Sequence, residues 1–319
     1  MEKLFGLKDT RDWKLEDAKK SVSFFDEKKL RKYAYKPFSK HFIYYDSRLI
    51  DRGCSRIGLM QSMFEPNLAI VLRKKVTGFQ WGHAFVSDEV VDFNFYNYIS
   101  VVCPLFLRSN QDELLSLTDT KQVNLSAKAL RWCQEYINTD CGKLKQFTEI
   151  ELAKFFFYYV YAILFSQKYR TRYVEMLKID FPRIPLSKNS TLLKSLIKIG
   201  DDLVSLHLLL SPKLAESKLS YIGTFSDEVG TPCWANETVW ISKDKLSGFF
   251  GVNEHVWNFQ IGDYKVCERW LKDRKGHVLS KHDIEHYKKI IVSISETIRL
   301  MAEIDKVIDE NGGWPNAFQ

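Results

Sequence analysis

Long apolar runs are missing from this sequence of 319 residues. The N-terminal stretch, Met1 to Asp9, lacks the apolar core of a signal peptide. The longest apolar stretch, residues 155–165, is too short to span a bilayer and predicts a buried helix instead. These absences argue against membrane insertion, and we expect a soluble protein of the cytoplasm.

Clustered cysteines are missing as well. The six cysteines are scattered along the chain and form no C-x-x-C pair. A zinc ribbon or a disulfide framework requires closely spaced cysteines. We therefore expect reduced thiols, as is usual in a cytosolic protein.

Signatures of catalysis and of nucleotide binding are absent too. The sequence contains neither G-x-G-x-x-G nor G-x-x-x-x-G-K-[ST], so no glycine-rich phosphate loop is predicted. The Asn/Asp-Pro-Pro-Tyr/Phe motif of amino-methylating DNA enzymes and the G-x-S-x-G motif of hydrolases do not occur. These absences predict a chain with no catalytic centre of its own and no cofactor.

Positive charge, by contrast, is present and unevenly distributed. The whole chain carries a net charge of +7, yet Lys28 to Lys75 contains 12 Lys or Arg against 3 Asp or Glu. That one segment is more positive than the entire protein, whereas Ser220 to Gly262 is locally acidic. A concentrated basic segment indicates a polyanionic partner. An ordinary solvated surface of lysines is the alternative interpretation.

The front of the chain has the texture of β-structure. Short runs of β-branched and aromatic residues, separated by Gly, Pro, Asn and Asp, predict strands. These runs are Tyr33–Tyr35, His41–Tyr45, Asn67–Leu72, His83–Val86 and Ser100–Leu107. Because Pro104 has no amide donor, the last run is expected to form an edge strand or a bulge. Residues 108–125 are predicted to be a loop.

Helices are predicted elsewhere, around Lys14–Phe24, Leu125–Tyr136 and Thr191–Leu210, with short strands near Val239–Ile241 and Val256–Ile261. Thr148 is the predicted N-cap of the buried helix through residues 155–165. Ser280 with Asp283 predicts the start of a long C-terminal helix. Its apolar residues recur at steps of three and four and form one stripe: Ile284, Tyr287, Ile291, Ile294, Ile298, Met301 and Ile308.

Together these patterns predict an α+β fold, with a β-rich, aromatic and basic front part, a helical back part and a long C-terminal helix. The expected organisation is a lead-in segment, a β-rich part, a helical spacer, and a last part of short strands plus the long helix. Their bounds are 1–27, 28–147, 148–212 and 213–319, and we expect all four to belong to one unit.

One metal-site pattern occurs in the C-terminal helix. His282 to His286 fits H-x-x-E-H, in which two histidines on one helix face bind zinc. The apolar stripe leaves both histidines on the flank of the helix, and only a short helical tail follows to supply a third ligand. A zinc hydrolase using His282 and His286 is therefore the less favoured alternative to exposed surface histidines.

Cations and aromatic side chains alternate within the basic segment. Lys and Arg neutralise phosphates, and Arg, Gln or His can pair with base edges. The candidate DNA-binding residues are Lys36, Arg48, Arg52, Arg56, Arg73, Lys74, Lys75, Gln80 and His83. For the aromatic residues of the segment, packing in the β-core is the favoured interpretation.

These residues carry a resemblance to a known family. The chain resembles the C-terminal specificity domain of Type ISP restriction–modification enzymes from about residue 28 onwards. The matching stretches include Tyr33–Phe38, Ile43–Asp46, Ser55–Met60, His83–Asp88, Tyr158–Leu164, Tyr169–Tyr173, Leu177–Pro185, Val256–Gly262, Trp270–Gly276, Glu296–Arg299 and Gly312–Pro315. Lys36 stands where the family usually has Arg, which keeps the charge but loses bidentate geometry.

The resemblance implies a target-recognition unit that binds double-stranded DNA for a partner enzyme. In this family one polypeptide also carries a nuclease, a helicase-like ATPase and an adenine-N6 methyltransferase, which would act as partners of this chain. This division of activities is consistent with the catalytic motifs that are missing from the present sequence. An interaction scaffold that docks a methyltransferase with little DNA affinity of its own remains the alternative.

Overall fold

The computed structural model describes residues 6, 8–11, 13–22, 24–50, 57–78, 80–97, 99–108, 121–137, 147–216 and 218–319. The helices within these residues are α1 (Leu15–Ser21), α2 (Ile57–Met60), α3 (Ala127–Tyr136), α4 (Glu149–Phe165), α5 (Gln167–Arg172), α6 (Val174–Ile179), α7 (Ser190–His207), α8 (Glu254–Trp257), α9 (Val266–Lys272) and α10 (Lys281–Glu310). No helix in these ranges is long and apolar enough to cross a membrane.

The strands form several small sheets. In chain order they are β1 (Leu30–Lys36), β2 (Ser39–Tyr44), β3 (Ala69–Leu72), β4 (Ala84–Ser87), β5 (Val90–Val91), β6 (Val101–Pro104), β7 (Phe106–Arg108), β8 (Lys121–Val123), β9 (Ser220–Ile222), β10 (Cys233–Ala235), β11 (Thr238–Trp240), β12 (Gly248–Phe250), β13 (Gln260–Ile261) and β14 (Tyr264–Lys265). The sheet orders are β2-β1-β5, β4-β3-β6, β7-β8, β10-β11-β12-β9 and β13-β14. This mixture confirms the predicted α+β class.

The helical back part is built around α4. Thr148 caps this helix through a capping box with Glu151, as the sequence predicted for its N-cap. The helix is apolar on nearly all sides, and its side chains from Leu152 to Phe165 are largely buried. It packs on α7, and at Gly200 the two backbones approach so closely that no side chain fits between them.

The C-terminal helix α10 joins the two halves of the core. Ser280 and Asp283 form its capping box, as predicted. The first part of its apolar stripe, Ile284 to Ile294, packs in one cluster with the front strands, whereas Leu300 to Ile308 pack in the cluster of α4 and α7. Of the predicted stripe, Ile298 alone is half-buried. At about 45 Å, the helix is long enough to connect both clusters.

The β1–β2 hairpin enters the core by its turn. Phe38 at this turn is buried against Phe85, with ring centroids 5.0 Å apart. The backbone there has a positive φ of 60°. The opposite end of the hairpin, where Leu30 pairs with Tyr44, points away from the buried turn. The hairpin is therefore held in the core at its turn by Phe38, and Tyr45, directly after the open end, is buried against Phe64.

The structure differs from the sequence-based prediction in two places. Val256–Ile261, predicted as a strand, contains the end of α8 and the short strand β13, because the Asn253 side chain accepts from the amide of His255 and starts a helical turn. The predicted loop 108–125 contains β8, which pairs with β7. The prediction for Pro104 is confirmed, since within the described residues β6 pairs with β3 alone and forms the edge of its sheet.

Candidate nucleic-acid interface

Five of the predicted DNA-binding residues lie on the connection between β3 and β4, and three of them are exposed. Lys74, Lys75 and Gln80 are exposed there. Two cations and an amide on one connection are the groups that contact phosphates and base edges. We call this connection, residues 73–83, the β3–β4 loop. Its exposed side chains form the most accessible cluster among the sequence-predicted residues that the structure describes.

Two contacts fix the β3–β4 loop on opposite sides. On one side the amide of Val76 donates to the carbonyl of Lys178 in α6, 3.0 Å away. On the other side the amide of Gly262 donates to the carbonyl of Gly82, also at 3.0 Å. The loop is therefore positioned by segments that lie about a hundred or more residues further along the chain.

Arg73 belongs to this anchoring and not to the exposed surface. Its Nη1 lies 3.3 Å from Asp263 Oδ2, and its side chain is largely buried. Asp263 occupies the turn between β13 and β14 and is half-exposed. A guanidinium paired in this way holds the base of the loop, so in this conformation it does not offer itself to a phosphate.

His83 is completely buried at the other end of the loop. Its Nε2 lies 3.5 Å from Asp263 Oδ2, and its ring meets Tyr96 edge to face. Burial lowers the pKa of His83 to about 4, so the ring is neutral at pH 7. A side chain at Gly262 would collide with this ring, its Cβ falling 2.3 Å from Cδ2. His83 therefore supports the β13–β14 turn and is not placed to read a base.

Lys36 is buried at the inserted turn of the hairpin. Its Nζ donates to the carbonyl of Asn94. Burial lowers the pKa of this ammonium. The ammonium also lies 5.1 Å from the ring centroid of Tyr35. These contacts fix the hairpin turn, so the predicted role in DNA contact does not suit the position of Lys36.

Arg48 is exposed but committed to a neighbour. Its Nε and Nη2 contact the two carboxylate oxygens of Asp46 at 2.9 and 2.6 Å. Lys29 contacts the same carboxylate at 2.8 Å, and these cations hold the pKa of Asp46 well below its usual range. Much of the Arg48 charge is therefore neutralised locally. The remaining candidates, Arg52 and Arg56, lie outside the described residues.

The structure adds one exposed cation, Arg183, that the sequence analysis did not select. The segment after α6 lies against the β3–β4 loop, because Lys74 Nζ is 3.8 Å from Asp180 Oδ1 and 5.2 Å from the ring centroid of Phe181. Arg183 follows on the same segment and is exposed. No sequence signal could connect these residues to the loop, because about a hundred positions separate them.

The histidines of the H-x-x-E-H pattern have structural surroundings. The Nε2 of His286 donates to the carbonyl of Phe38 at 2.9 Å, and the ring stacks on Trp270. His282 is exposed one turn earlier. Among the described residues, no group of three His, Cys, Asp or Glu side chains is arranged to hold a metal ion. The zinc-hydrolase alternative is not favoured by this arrangement.

Replacing His286 by alanine is expected to lower the free energy of unfolding by about 1–3 kcal/mol, because the buried Phe38 carbonyl loses its donor. The same replacement at the exposed His282 should change it by less than about 0.5 kcal/mol. Urea unfolding of both variants, with and without added zinc, measures the difference. Equal losses at the two positions, or a parent chain stabilised by zinc, would support the metal site instead.

Comparisons with known proteins agree with one family. A profile of the Type ISP C-terminal specificity domain matches residues 1–303. The ATP-dependent Type ISP restriction-modification enzyme LlaBIII bound to DNA shares the fold with a TM-score of 0.69 and 21% identity over 93% of this chain. A nuclease-deletion mutant of the Type ISP enzyme LlaGI, in complex with a DNA substrate mimic, has a TM-score of 0.62 and 18% identity over 88% of this chain. The DrdV–DNA complex has a TM-score of 0.67 and 16% identity over 90% of this chain.

The matched region is a small part of those proteins. This chain corresponds to 20% of the LlaBIII chain, 25% of the LlaGI chain and 29% of the DrdV chain. No curated protein matches it by sequence. The family profile, however, extends over nearly the whole sequence, and the shared fold runs through both the β-rich front and the helical back. The chain belongs to the family of Type ISP C-terminal specificity domains.

Proposed function

We propose that this chain recognises a specific sequence in double-stranded DNA as the specificity part of a restriction–modification system. Family membership together with the exposed Lys74, Lys75 and Gln80 on one positioned loop supports this function. The lysines would contact phosphates and set the position of the protein on the duplex. The amide of Gln80 would read a base edge in the major groove, where it can donate and accept at adenine.

The anchoring of the β3–β4 loop suits this role. A loop that is already fixed before binding loses little conformational entropy when it meets DNA. The Arg73–Asp263 ion pair and the Val76–Lys178 hydrogen bond supply that fixation from two directions. Their contribution to recognition is therefore positional, while the exposed side chains make the contacts.

Catalysis is assigned to other parts of the same system. The solved relatives are restriction-modification enzymes several times longer than the region they share with this chain. We infer that methyltransferase, helicase and nuclease activities belong to such additional parts, and that this chain acts without catalysing a reaction. We also propose that its segments work as one target-recognition unit, since α10 packs with both core clusters.

Alanine at Lys74 or at Lys75 is expected to weaken binding to all duplex sequences alike. Each lost phosphate contact should reduce the slope of log K against log salt concentration by about 0.9. Alanine at Gln80 should leave that slope unchanged and reduce discrimination at one base pair by about 1–3 kcal/mol. Fluorescence anisotropy over a salt series, on matched and mismatched duplexes, measures both quantities.

Lys306→Ala serves as the control for these variants, since this lysine is exposed on the helical back part. It should bind DNA with the parent affinity and the parent slope. Parent-like slopes for both loop lysines would contradict the placement of the phosphate contacts on the β3–β4 loop. A slope that falls equally in the control would indicate a diffuse effect of net charge.

A further inference from the structure

The open end of the β1–β2 hairpin carries exposed apolar side chains that the proposed loop contacts do not use. Phe42 is 66% exposed and Leu30 is 44% exposed. Phe25, 68% exposed, packs on Tyr44 with ring centroids 5.4 Å apart and extends the same surface. We call Leu30–Lys32 with Phe42–Tyr44 the ribbon end.

The strand register places these side chains on one face. Lys32 pairs with Phe42, and Leu30 pairs with Tyr44, so all four project to the same side of the hairpin. Arg31 belongs to the other face and packs over the ring of Phe64 at 4.5 Å. The ribbon end therefore presents aromatic and aliphatic side chains beside a lysine.

The ribbon end is two-stranded and exposes one face, while its other face packs on the body of the protein through Arg31. The strand β5 pairs with β1 only at Tyr33 and Ala34, nearer the buried turn. Beyond these residues, within the part of the chain that the structure describes, β1 is paired with β2 alone. A two-stranded antiparallel ribbon of this kind has the width that the major groove of B-DNA admits.

The charge of the ribbon matches a duplex. Residues 28–45 contain six Lys or Arg and no Asp or Glu, but Lys29 and Lys40 are paired with carboxylates and Lys36 is buried. Lys28 and Lys32 are exposed, and neither forms an ion pair among the described residues. Aromatic and cationic groups combined on one exposed face are the chemistry of nucleic-acid contact, where cations meet phosphates and apolar side chains pack on bases.

We propose that the ribbon end enters a groove of the same duplex, with Lys28 and Lys32 on phosphates and Phe42 packed against the bases. This inference rests on the proposed function and adds a second contact, separate from the β3–β4 loop. It assigns a reading role to an apolar side chain, through contact with base surfaces and thymine methyl groups.

The test uses the full chain and a labelled duplex of mixed sequence at several salt concentrations. Phe42→Ala should bind about tenfold more weakly with an unchanged salt slope, because an apolar contact is lost and no charge is removed. Lys32→Ala should lower the slope by about 0.9. A photo-reactive phenylalanine analogue at position 42 should crosslink to the duplex.

Phe250 supplies the matched control, since it is 46% exposed on β12 within the acidic segment. Phe250→Ala should bind like the parent, and the analogue at position 250 should not crosslink. Parent-like binding by Phe42→Ala and Lys32→Ala, together with weakened binding by Lys74→Ala, would overturn the ribbon contact alone. Failure of the parent chain to bind at low salt would overturn the proposed function as well.

Discussion

Replacing His207 by alanine is expected to lower the free energy of unfolding by about 4 kcal/mol. His207 is buried where α4, α7 and α10 meet. Its Nδ1 lies 2.6 Å from the hydroxyl of Tyr161, and its Nε2 lies 2.9 Å from Oγ1 of Thr297. Truncation would open a cavity and leave the buried Tyr161 hydroxyl without its acceptor, whereas Thr297 keeps its bond to the carbonyl of Ser293.

The hydrogen bonds around His207 determine which of its ring nitrogens carries a proton. Thr297 donates its hydroxyl hydrogen to the carbonyl of Ser293, so its oxygen accepts from Nε2 of His207. The Nδ1 atom then accepts from the Tyr161 hydroxyl, which requires a neutral imidazole. Burial, with a smaller contribution from Arg170, lowers the pKa of His207 to about 3.

The sign of the pH dependence follows from that lowered pKa. An unfolded histidine has a pKa of about 6.5, so protons bind the unfolded chain more readily than the folded one. The stability from His207 is complete above about pH 6.5 and is lost as the pH falls towards 3, at about 1.4 kcal/mol per pH unit. His83, with a pKa of about 4, acts in the same direction.

Urea unfolding at pH values from about 7.5 down to about 5 measures both effects. The free energy of unfolding of the parent chain should fall steeply below about pH 6.5. For His207→Ala the plot of this free energy against pH should be less steep, by the equivalent of about one proton taken up on unfolding. His277→Ala, at an exposed position, should keep the parent slope. An identical pH dependence for His207→Ala and the parent would contradict the buried neutral histidine.

Alanine at Gly200 is expected to cost about 3 kcal/mol of folding free energy. The Cβ atom would fall 1.9 Å from the carbonyl oxygen of Tyr158 on the facing helix α4. Backbone atoms of a buried helix cannot rotate away, so α7 must separate from α4 along its length. The helical back part would lose close packing over its main contact.

Gly58→Ala is the matched control, because a Cβ there meets no atom within 4 Å. A helical position with free space should gain up to about 1 kcal/mol from the same change. Chemical denaturation of the two variants, followed by far-UV circular dichroism, compares them directly. A loss below about 1 kcal/mol at Gly200 would show that the two helices do not pack as closely as described.

Much of the fold could be predicted because its signals are local. Capping residues such as Thr148 and Ser280 lie within three positions of the partners that complete their hydrogen bonds. The stripe of α10 is likewise a property of consecutive turns. The helical turn at Asn253 was missed, because its strand-like composition continues into β13 and hides the cap.

The site was harder to predict, because burial of a cation depends on distant residues. The sequence offers no difference in kind between the polar side chains of Arg73 and His83 and those of Lys74 and Gln80. In the structure, however, Arg73 forms an ion pair with Asp263, far along the chain, and His83 lies 3.5 Å from the same carboxylate. Charge counting identifies the segment but cannot separate anchoring side chains from exposed ones. The exposure of Phe42 could not be predicted either, since strand composition does not reveal which face of a hairpin is covered.

Selection from a pool of randomised duplexes by the full chain, repeated at low and moderate salt, tests the central claim most directly. The account predicts enrichment of one defined sequence, with affinity that falls as salt rises because phosphate contacts contribute to binding. Absence of binding even at low salt would contradict it. Salt-dependent binding without any enriched sequence would contradict autonomous recognition and assign specificity to the other parts of the system.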